Sequence, residues 1–319
     1  MYKIRFHAMG SEVEALIDSE SEQARSLLEQ VPAWFEEWEQ HLSRFRWDSE
    51  LSQLNRSQGE AVSVSPVLWD VLQVALEAAE DSRGLVTPAV LDALEAAGYD
   101  RSFELLENSA GMLGAHFSFI NSAASLDDIA VDTDKHKVLL PEGLRLDFGG
   151  SAKGWAAHQA AQRLAEYAPA LVSAGGDIAL TPRSGPAQSW QIGIKDPFNL
   201  EAEIARISLR EGGVATSGTD HRHWEQDGEW RTHIIDPRSN APVESDVLSA
   251  TVIAPNLMEA EMAAKTCLIL GSEQGMQWLR QRSGNAGLFV LQNGIIALSN
   301  NMESYLVKEY ERNILVEPI

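Results

Sequence analysis

The stretch Leu144–His158 constrains the fold more than any other part of the sequence. It combines the pattern of a strand, a pair of glycines and the pattern of a helix. A β-strand is predicted over Leu139–Phe148, because apolar and polar residues alternate towards its end. Two glycines, Gly149 and Gly150, then interrupt the alternation, and an alanine-rich run with helical spacing predicts a helix over Gly154–Tyr167. The chain is therefore expected to pass from a strand through a glycine turn directly into a helix.

This glycine turn has two interpretations. Glycines let the backbone approach a phosphate, a helix N-terminus offers unpaired N–H groups, and Lys153 would add a positive charge. A tight turn with a solvated lysine would use the same residues. The stretch matches neither G-x-G-x-x-G nor G-x-x-x-x-G-K-[ST], so the two common nucleotide-binding motifs are absent from it. On these residues alone, an anion site and a simple turn both stay open.

The rest of the chain predicts an α+β fold with a largely antiparallel or mixed sheet and packed helices. Short alternating segments separated by turns interleave irregularly with amphipathic helices, which is not the pattern of a doubly wound parallel sheet. The predicted elements include a short strand around Phe117–Ile120 and helices that begin at Ser65-Pro66, at Thr87-Pro88 and at Asn256. Residues 20–45 carry apolar side chains at three- and four-residue steps, and Pro32 is expected to kink or split that helix. No linker rich in glycine, serine or proline divides residues 1–319, so we expect one domain.

Charge and cysteine content exclude several classes of function. The net charge of −22 argues against general binding of nucleic acid or of acidic membranes. No run of about 18 apolar residues is present, so no transmembrane helix is expected. The single cysteine, Cys267, excludes an internal disulfide and predicts a buried, inert thiol. The N-terminal residues lack the features of a signal peptide or a lipid anchor, which favours a cytoplasmic protein.

Four small polar clusters lie among the predicted strands and helices. They are Asp147 with Lys153, Gly175–Asp177, Thr216–Asp220 followed by His221 and His223, and Thr232 and His233 with Asp236. Small polar residues of this kind suit a phosphate-rich ligand, although each cluster would also serve as an ordinary structured turn. A zinc site is not expected, because no third ligand is indicated beside the two neighbouring histidines.

Taken in order, a set of motifs covers nearly the whole chain and resembles the ApbE family of FAD:protein FMN transferases. The matching pieces are Met9–Ser11, Ser49–Asn55, Gly84–Pro88, Gly98–Asp100, Asp147–Gly154, Ser173–Asp177, Ala215–Gly218 and His233–Pro237. No single piece is specific, whereas the complete set in family order is. The resemblance implies an α+β domain with FAD bound in a cleft between two closely packed sub-regions.

The resemblance also implies an activity and its partners. FMN would pass from FAD to a threonine or serine hydroxyl of a target protein with release of AMP, and a magnesium ion would lie on the FAD pyrophosphate. The family's FAD contacts would fall at Met9, Phe45, Leu85, Val86, Thr87, Asp147, Lys153 and Ile234. A backbone carbonyl contact to the metal would fall at Gly150.

The sequence departs from the family at the side chains that would bind this metal. Glu261 stands where the family has an aspartate, and Lys265 stands where it has a threonine. Residues four apart share one helix face, so these two side chains are expected to pair. The ammonium group would either neutralise the pyrophosphate in place of the ion or exclude the ion, and an Mg²⁺ ligand role for Glu261 stays open as well.

For the proton of the acceptor hydroxyl, His233 and Asp236 are the candidate acceptors. Two other functions stay open beside the transferase. One is a protein that binds FAD but has lost the transfer step, and the metal-site departure motivates it. The other is an FAD pyrophosphatase, in which water replaces the protein hydroxyl and the products are FMN and AMP.

Overall fold

The structure is a computed structural model that describes residues 1–57, 59–107, 124–183, 189–220, 223–226, 229–299 and 301–308. Its strands are β1 (Tyr2–Ala8), β2 (Ser11–Ile17), β3 (Ala61–Ser63), β4 (Ala130–Asp132), β5 (Lys137–Leu139), β6 (Ala170–Ala174), β7 (Asp177–Leu180), β8 (Trp190–Asp196), β9 (Asn199–Leu209), β10 (Gly212–Gly218), β11 (His223–Gln226), β12 (Glu229–Thr232), β13 (Ile235–Asp236), β14 (Ala241–Pro242), β15 (Val247–Ala254), β16 (Ala286–Leu291) and β17 (Ile296–Leu298). Its helices are α1 (Glu22–Leu28), α2 (Val31–Leu42), α3 (Glu50–Asn55), α4 (Pro66–Asp81), α5 (Leu91–Ala96), α6 (Phe103–Glu107), α7 (Ala152–Ala165), α8 (Leu257–Leu270) and α9 (Ser272–Arg280).

Eight strands form the central sheet in the order β1-β2-β6-β7-β10-β15-β16-β17. The described strands also form a three-stranded sheet, β3-β5-β4, and the two-stranded ribbons β8-β9, β11-β12 and β13-β14. All pairings between the described strands are antiparallel. The predicted α+β fold with a largely antiparallel sheet is therefore confirmed.

The two faces of the central sheet are covered by different layers, because successive strand residues point to opposite sides. On one face, Val172 belongs to the large apolar core shared with α7 and α8. On the other face, Leu171 packs in a second cluster with Trp190 and Ile192 of the β8-β9 ribbon. Burial on both faces explains why β6 is an almost continuous apolar run.

Two hairpin turns lie side by side at one end of this sheet. Met9 and Gly10 join β1 to β2 with φ angles of 50° and 65°, and Gly175 and Gly176 join β6 to β7 with φ angles of 64° and 97°. Positive φ at both central residues matches the twist of the flanking strands. The Gly175 N–H donates to the Glu12 carbonyl at 2.9 Å, so the two turns are held together. The predicted turn at the first of these positions is confirmed.

The strand predicted over Leu139–Phe148 is wrong. Strand β5 ends at Leu139, and residues 140–150 belong to none of the described strands. The main-chain N–H and C=O of Leu146 both bond to the side-chain amide of Asn55, each at 2.8 Å. The alternating sequence reflects the burial of every second side chain. The hydrogen bonds of the Leu146 backbone, however, are made by the Asn55 side chain and not by a neighbouring strand.

Helix boundaries differ from the prediction where local packing intervenes. Pro32 does split the long predicted helix, since α1 ends before it and α2 carries it in the first turn. Phe45, which the periodicity placed on the buried face, lies beyond α2 and is 43% exposed, and Phe35 fills the core instead. Helix α5 begins at Leu91 and not at Pro88.

Three further expectations concern other parts of the chain. Cys267 is buried in α8 as a free thiol, as the sequence predicted. The short strand expected around Phe117–Ile120 lies outside the described residues. Within the described segments, no helix reaches both the length and the apolar content that crossing a bilayer requires.

Candidate active site

A cleft of about 1050 Å³ opens at the end of the sheet where the two hairpin turns lie. Its walls also include the N-terminus of α7, one face of α8, the loops after α2 and α4, and the segment that joins β12 to β13. Eleven of the thirteen site residues predicted from the sequence line it: Met9, Phe45, Leu85, Val86, Thr87, Asp147, Gly150, Lys153, His233, Ile234 and Lys265. The other two, Glu261 and Asp236, are not part of the lining.

The glycine turn before α7 is held by its own polar groups. The Asp147 carboxylate accepts a hydrogen bond from the Gly149 N–H at 2.8 Å. Lys153, in the first turn of α7, reaches back and donates from Nζ to the Gly149 carbonyl at 2.8 Å. Ser151 precedes α7 without capping it through its side chain. The helix N-terminus and an ammonium group thus face the same cleft, which is the arrangement that binds anions.

Arg44 fixes the Asp147 carboxylate from the other side. Its Nε lies 2.7 Å from Asp147 Oδ2, and the two side chains are only 6% and 11% exposed. The guanidinium also donates to the Tyr99 carbonyl at 2.7 Å and stacks over the rings of Phe45 and Tyr99, at 4.1 and 4.7 Å. A planar guanidinium suits this double role of ion pair and aromatic stacking. Sequence reasoning missed Arg44, because nothing in local spacing connects it with Asp147.

Lys265 connects α8 with the glycine turn. Its Nζ lies 2.8 Å from Glu261 Oε1 and 3.2 Å from the Gly150 carbonyl oxygen. The ion pair expected from the four-residue spacing is therefore present. The Glu261 side chain is 2% exposed and the Lys265 side chain 17%, so the carboxylate lies behind the cleft wall and the ammonium within it.

Gly154 leaves the room that the Glu261 carboxylate occupies. A Cβ atom at this position would lie 2.2 Å from Glu261 Oε2 and 3.3 Å from its Cδ. No described group donates a hydrogen bond to that buried Oε2. A glutamate is one methylene longer than an aspartate, and the missing side chain at Gly154 accommodates that length.

Asp177 lines the cleft with a buried carboxylate. It is 7% exposed, and its Oδ1 accepts a hydrogen bond from the Thr216 N–H at 3.3 Å. Burial, together with the nearby Glu261 charge, raises the pKa of Asp177 to about 6, against the opposing pull of Lys153 and Lys265. The Glu261 carboxylate and two ammonium groups therefore act on the charge state of Asp177.

The two candidate proton acceptors lie in different surroundings. His233 lines the cleft, between β12 and β13. Asp236 forms a two-pronged ion pair with Arg238, with Nε–Oδ1 and Nη2–Oδ2 distances of 2.9 and 2.7 Å. These hydrogen bonds lower the pKa of Asp236. Its main-chain carbonyl also accepts from the Asn240 N–H at 2.8 Å, so Asp236 closes a turn behind the cleft.

The donor set at the expected metal position does not fit a magnesium ion. Such an ion needs about six oxygen ligands in near-octahedral geometry. Here the Gly150 carbonyl and the Glu261 carboxylate both contact the Lys265 ammonium, which has N–H donors and no lone pair to offer a cation. In the segments that the structure describes, no group of three or more His, Cys, Asp or Glu side chains is arranged to hold a metal.

The fold and the cleft define a class of protein, with an antiparallel α+β architecture and a cleft at the end of its central sheet that the glycine turn lines. The chain belongs to the ApbE family, whose model matches residues 9–289. This finding confirms the family resemblance that the ordered motifs indicated.

Named relatives and solved structures agree with this assignment. The FAD:protein FMN transferase of Treponema pallidum is 32% identical over 286 residues, which cover 84% of this chain and 78% of that protein. The Escherichia coli K12 protein with the same name is 24% identical over 300 residues, or 91% and 84% of the two chains. The crystal structure of the ApbE protein of Thermotoga maritima superposes with a TM-score of 0.81 at 26% identity, covering 95% of this chain and 98% of that one. The flavin transferase ApbE of Vibrio cholerae shares the fold, with a TM-score of 0.75 at 21% identity and coverage of 96% and 99%.

Proposed function

We propose that the protein is an FAD:protein FMN transferase, which moves FMN from FAD to a threonine or serine hydroxyl of a target protein and releases AMP. The observation that carries the proposal is the convergence of eleven family-type positions on one cleft, although they are spread over most of the sequence. Membership in the ApbE family and the names of its relatives support the same activity. The names of the relatives described above favour the transferase over a protein that binds FAD without transfer and over a pyrophosphatase.

In this proposal the pyrophosphate of FAD lies at the glycine turn. The N-terminus of α7, with the positive end of its helix dipole, and the Lys153 ammonium face its oxygens. Asp147, held by Arg44 and the Gly149 N–H, points a fixed carboxylate at N–H or hydroxyl groups of the ligand. The turn is already held in shape by its internal hydrogen bonds, so binding requires little ordering.

The reaction is a phosphoryl-type transfer. The acceptor hydroxyl oxygen attacks the phosphorus on the FMN side of the pyrophosphate, and a new P–O bond forms while the bond to the bridging oxygen breaks. AMP leaves with the bridging oxygen and its electron pair, and the hydroxyl proton passes to a base. Catalysis of this kind consists of positioning and of stabilising charge on the phosphate oxygens.

For the base, the geometry supports His233 over Asp236. His233 lines the cleft, whereas Asp236 lies outside the lining and is held ionised by Arg238. We therefore assign proton transfer to His233. Asp236 is assigned to positioning, because it closes the turn that follows His233.

The family resemblance also implies a magnesium ion, and the residues at Gly150, Glu261 and Lys265 do not fit one, as described above. When bound in such a site, a divalent ion supplies positive charge to phosphate oxygens. We assign no step of the reaction to it in this chain.

The test combines the purified protein, FAD and a flavin-accepting protein domain. The transferase predicts equal amounts of AMP and of covalently flavinylated acceptor, read by chromatography and by in-gel flavin fluorescence. AMP with free FMN, without need of acceptor, would identify a pyrophosphatase instead. FAD binding with neither product would identify a binding protein. His233→Gln should abolish transfer and leave FAD affinity nearly unchanged, which separates a role in chemistry from one in binding.

A further inference from the structure

We propose that the Lys265 ammonium is a built-in cation of this cleft, which contacts the FAD pyrophosphate where a metal ion would otherwise lie and makes the protein independent of divalent metal. The inference rests on the proposed function for the identity of the ligand. It concerns how the phosphates are held and not which acceptor attacks them.

The position of the ammonium is the first argument. Lys265 Nζ donates to the Gly150 carbonyl at 3.2 Å and to Glu261 Oε1 at 2.8 Å. Both acceptors belong to positions that the resemblance assigns to the metal. An ammonium has three N–H donors, and the described residues engage two of them. Since Lys265 lines the cleft, the third donor is available to a ligand oxygen there.

The way in which the ammonium is held is the second argument. Glu261 is almost completely buried, and removing the partner of a buried carboxylate is strongly unfavourable. The carboxylate has little room to turn away, because Gly154 lies directly behind its Oε2. Lys265 therefore cannot leave without exposing an uncompensated charge, and a divalent ion at the same point would meet repulsion from the ammonium.

The third argument is the chemistry of replacing a metal ion with a lysine ammonium. A lysine brings one positive charge, and Glu261 offsets it, so the pair as a whole adds no net charge to the cleft. Its contribution is therefore a short, directed, charge-assisted hydrogen bond to the pyrophosphate. Lys153 provides a second such donor on the adjoining wall. Two tethered ammonium groups would thus hold the phosphates without an ion being taken from solution.

The first experiment uses the unaltered protein. After treatment with a chelator, FAD affinity is measured by flavin fluorescence, transfer is measured as above, and Mn²⁺ binding is read from the loss of the free-ion EPR signal. We expect FAD affinity and transfer rate to change by no more than about twofold between excess chelator and added Mg²⁺. We also expect no Mn²⁺ to bind, with or without FAD.

Variants then separate the cation from its surroundings. Lys265→Met should lower metal-free FAD affinity by about ten- to a hundredfold, the range of a hydrogen bond to a charged group. Should Lys265→Met unfold, E261Q/K265M removes both charges together and tests the same loss. The double change E261D/K265T should gain Mn²⁺ binding and make FAD affinity depend on Mg²⁺. Lys3→Thr is the matched control, because it also removes a lysine from an ion pair with a glutamate, at 2.7 Å and away from the cleft.

Two results would overturn the inference. One is Mn²⁺ binding by the unaltered protein together with transfer that stops under chelation. The other is metal-free FAD affinity unaffected by loss of the Lys265 charge in a folded variant. Metal-dependent transfer would leave the proposed function standing and refute only the built-in cation. Metal-free FAD binding without transfer under any condition would refute the proposed function and leave the built-in cation standing.

Discussion

Replacing Gly154 with alanine tests how firmly the buried carboxylate of Glu261 is held. Gly154 lies inside α7 and has no positive φ, so alanine fits its backbone without strain. The added Cβ would nevertheless lie 2.2 Å from Glu261 Oε2, well inside van der Waals contact. Since Glu261 is 1% exposed, the carboxylate cannot turn into solvent to avoid the clash.

Two opposing free-energy contributions decide how Gly154→Ala changes the stability of the protein. Alanine is favoured over glycine within a helix by about 1 kcal/mol. Overpacking a filled interior costs about 1–3 kcal/mol, and weakening the buried Glu261–Lys265 ion pair adds to that cost. We therefore expect Gly154→Ala to lower the free energy of unfolding by about 1–3 kcal/mol despite its better helix propensity. FAD affinity should fall with it, because Lys265 would lose its position beside Gly150.

Denaturant unfolding of four proteins provides the assay: the unaltered chain, Gly154→Ala, Glu261→Asp and the double variant. Aspartate is one methylene shorter than glutamate, so its carboxylate would lie farther from the added Cβ. Gly154→Ala should therefore destabilise the Glu261→Asp variant less than the unaltered chain. The coupling between the two sites should exceed about 0.5 kcal/mol, as for residues in contact. A Gly154→Ala protein as stable as the unaltered chain, with no coupling, would show that the carboxylate moves freely and would refute the reasoning.

Three other predictions concern buried polar groups. Arg44→Met should lower the free energy of unfolding by about 2–4 kcal/mol, because it leaves the Asp147 carboxylate without its partner, and Arg44→Lys should cost less. Equal losses for both would contradict this. The raised pKa of Asp177 means that its favourable contribution to stability is complete below about pH 4 and is lost as pH rises through about 6. Asp177→Asn should therefore remove a decline in stability between these values, measured by thermal unfolding of the ligand-free protein, and an unchanged decline would exclude Asp177 as its source. Burial raises the pKa of the Cys267 thiol, so iodoacetamide should label it only after unfolding, and labelling of the native protein would contradict its burial.

Local sequence was sufficient for the features that are decided within a few residues. The hairpin turn at Met9 and Gly10 and the helix starts at Ser65 and Asn256 follow from side chains that favour those backbone conformations. The ordered motifs likewise indicated the family, and with it the residues that would meet in the cleft.

The same local reasoning failed where the partner of a segment is distant. An alternating pattern before Gly149 predicted a strand, yet alternation reports only which side chains are buried and not what the backbone bonds to. Asn55 supplies that partner for Leu146, from a helix far away in the sequence.

The Glu261–Lys265 ion pair and the glycine turn could be predicted from the sequence, because spacing along one helix and glycine content are local properties. Only the tertiary structure showed that Arg44 pairs with Asp147 and that Gly154 makes room for the Glu261 carboxylate. It also placed the Lys265 ammonium on the carbonyl of Gly150. Each of these contacts joins separate elements, and their energies depend on burial and on distances of a few ångströms, which a one-dimensional pattern does not contain.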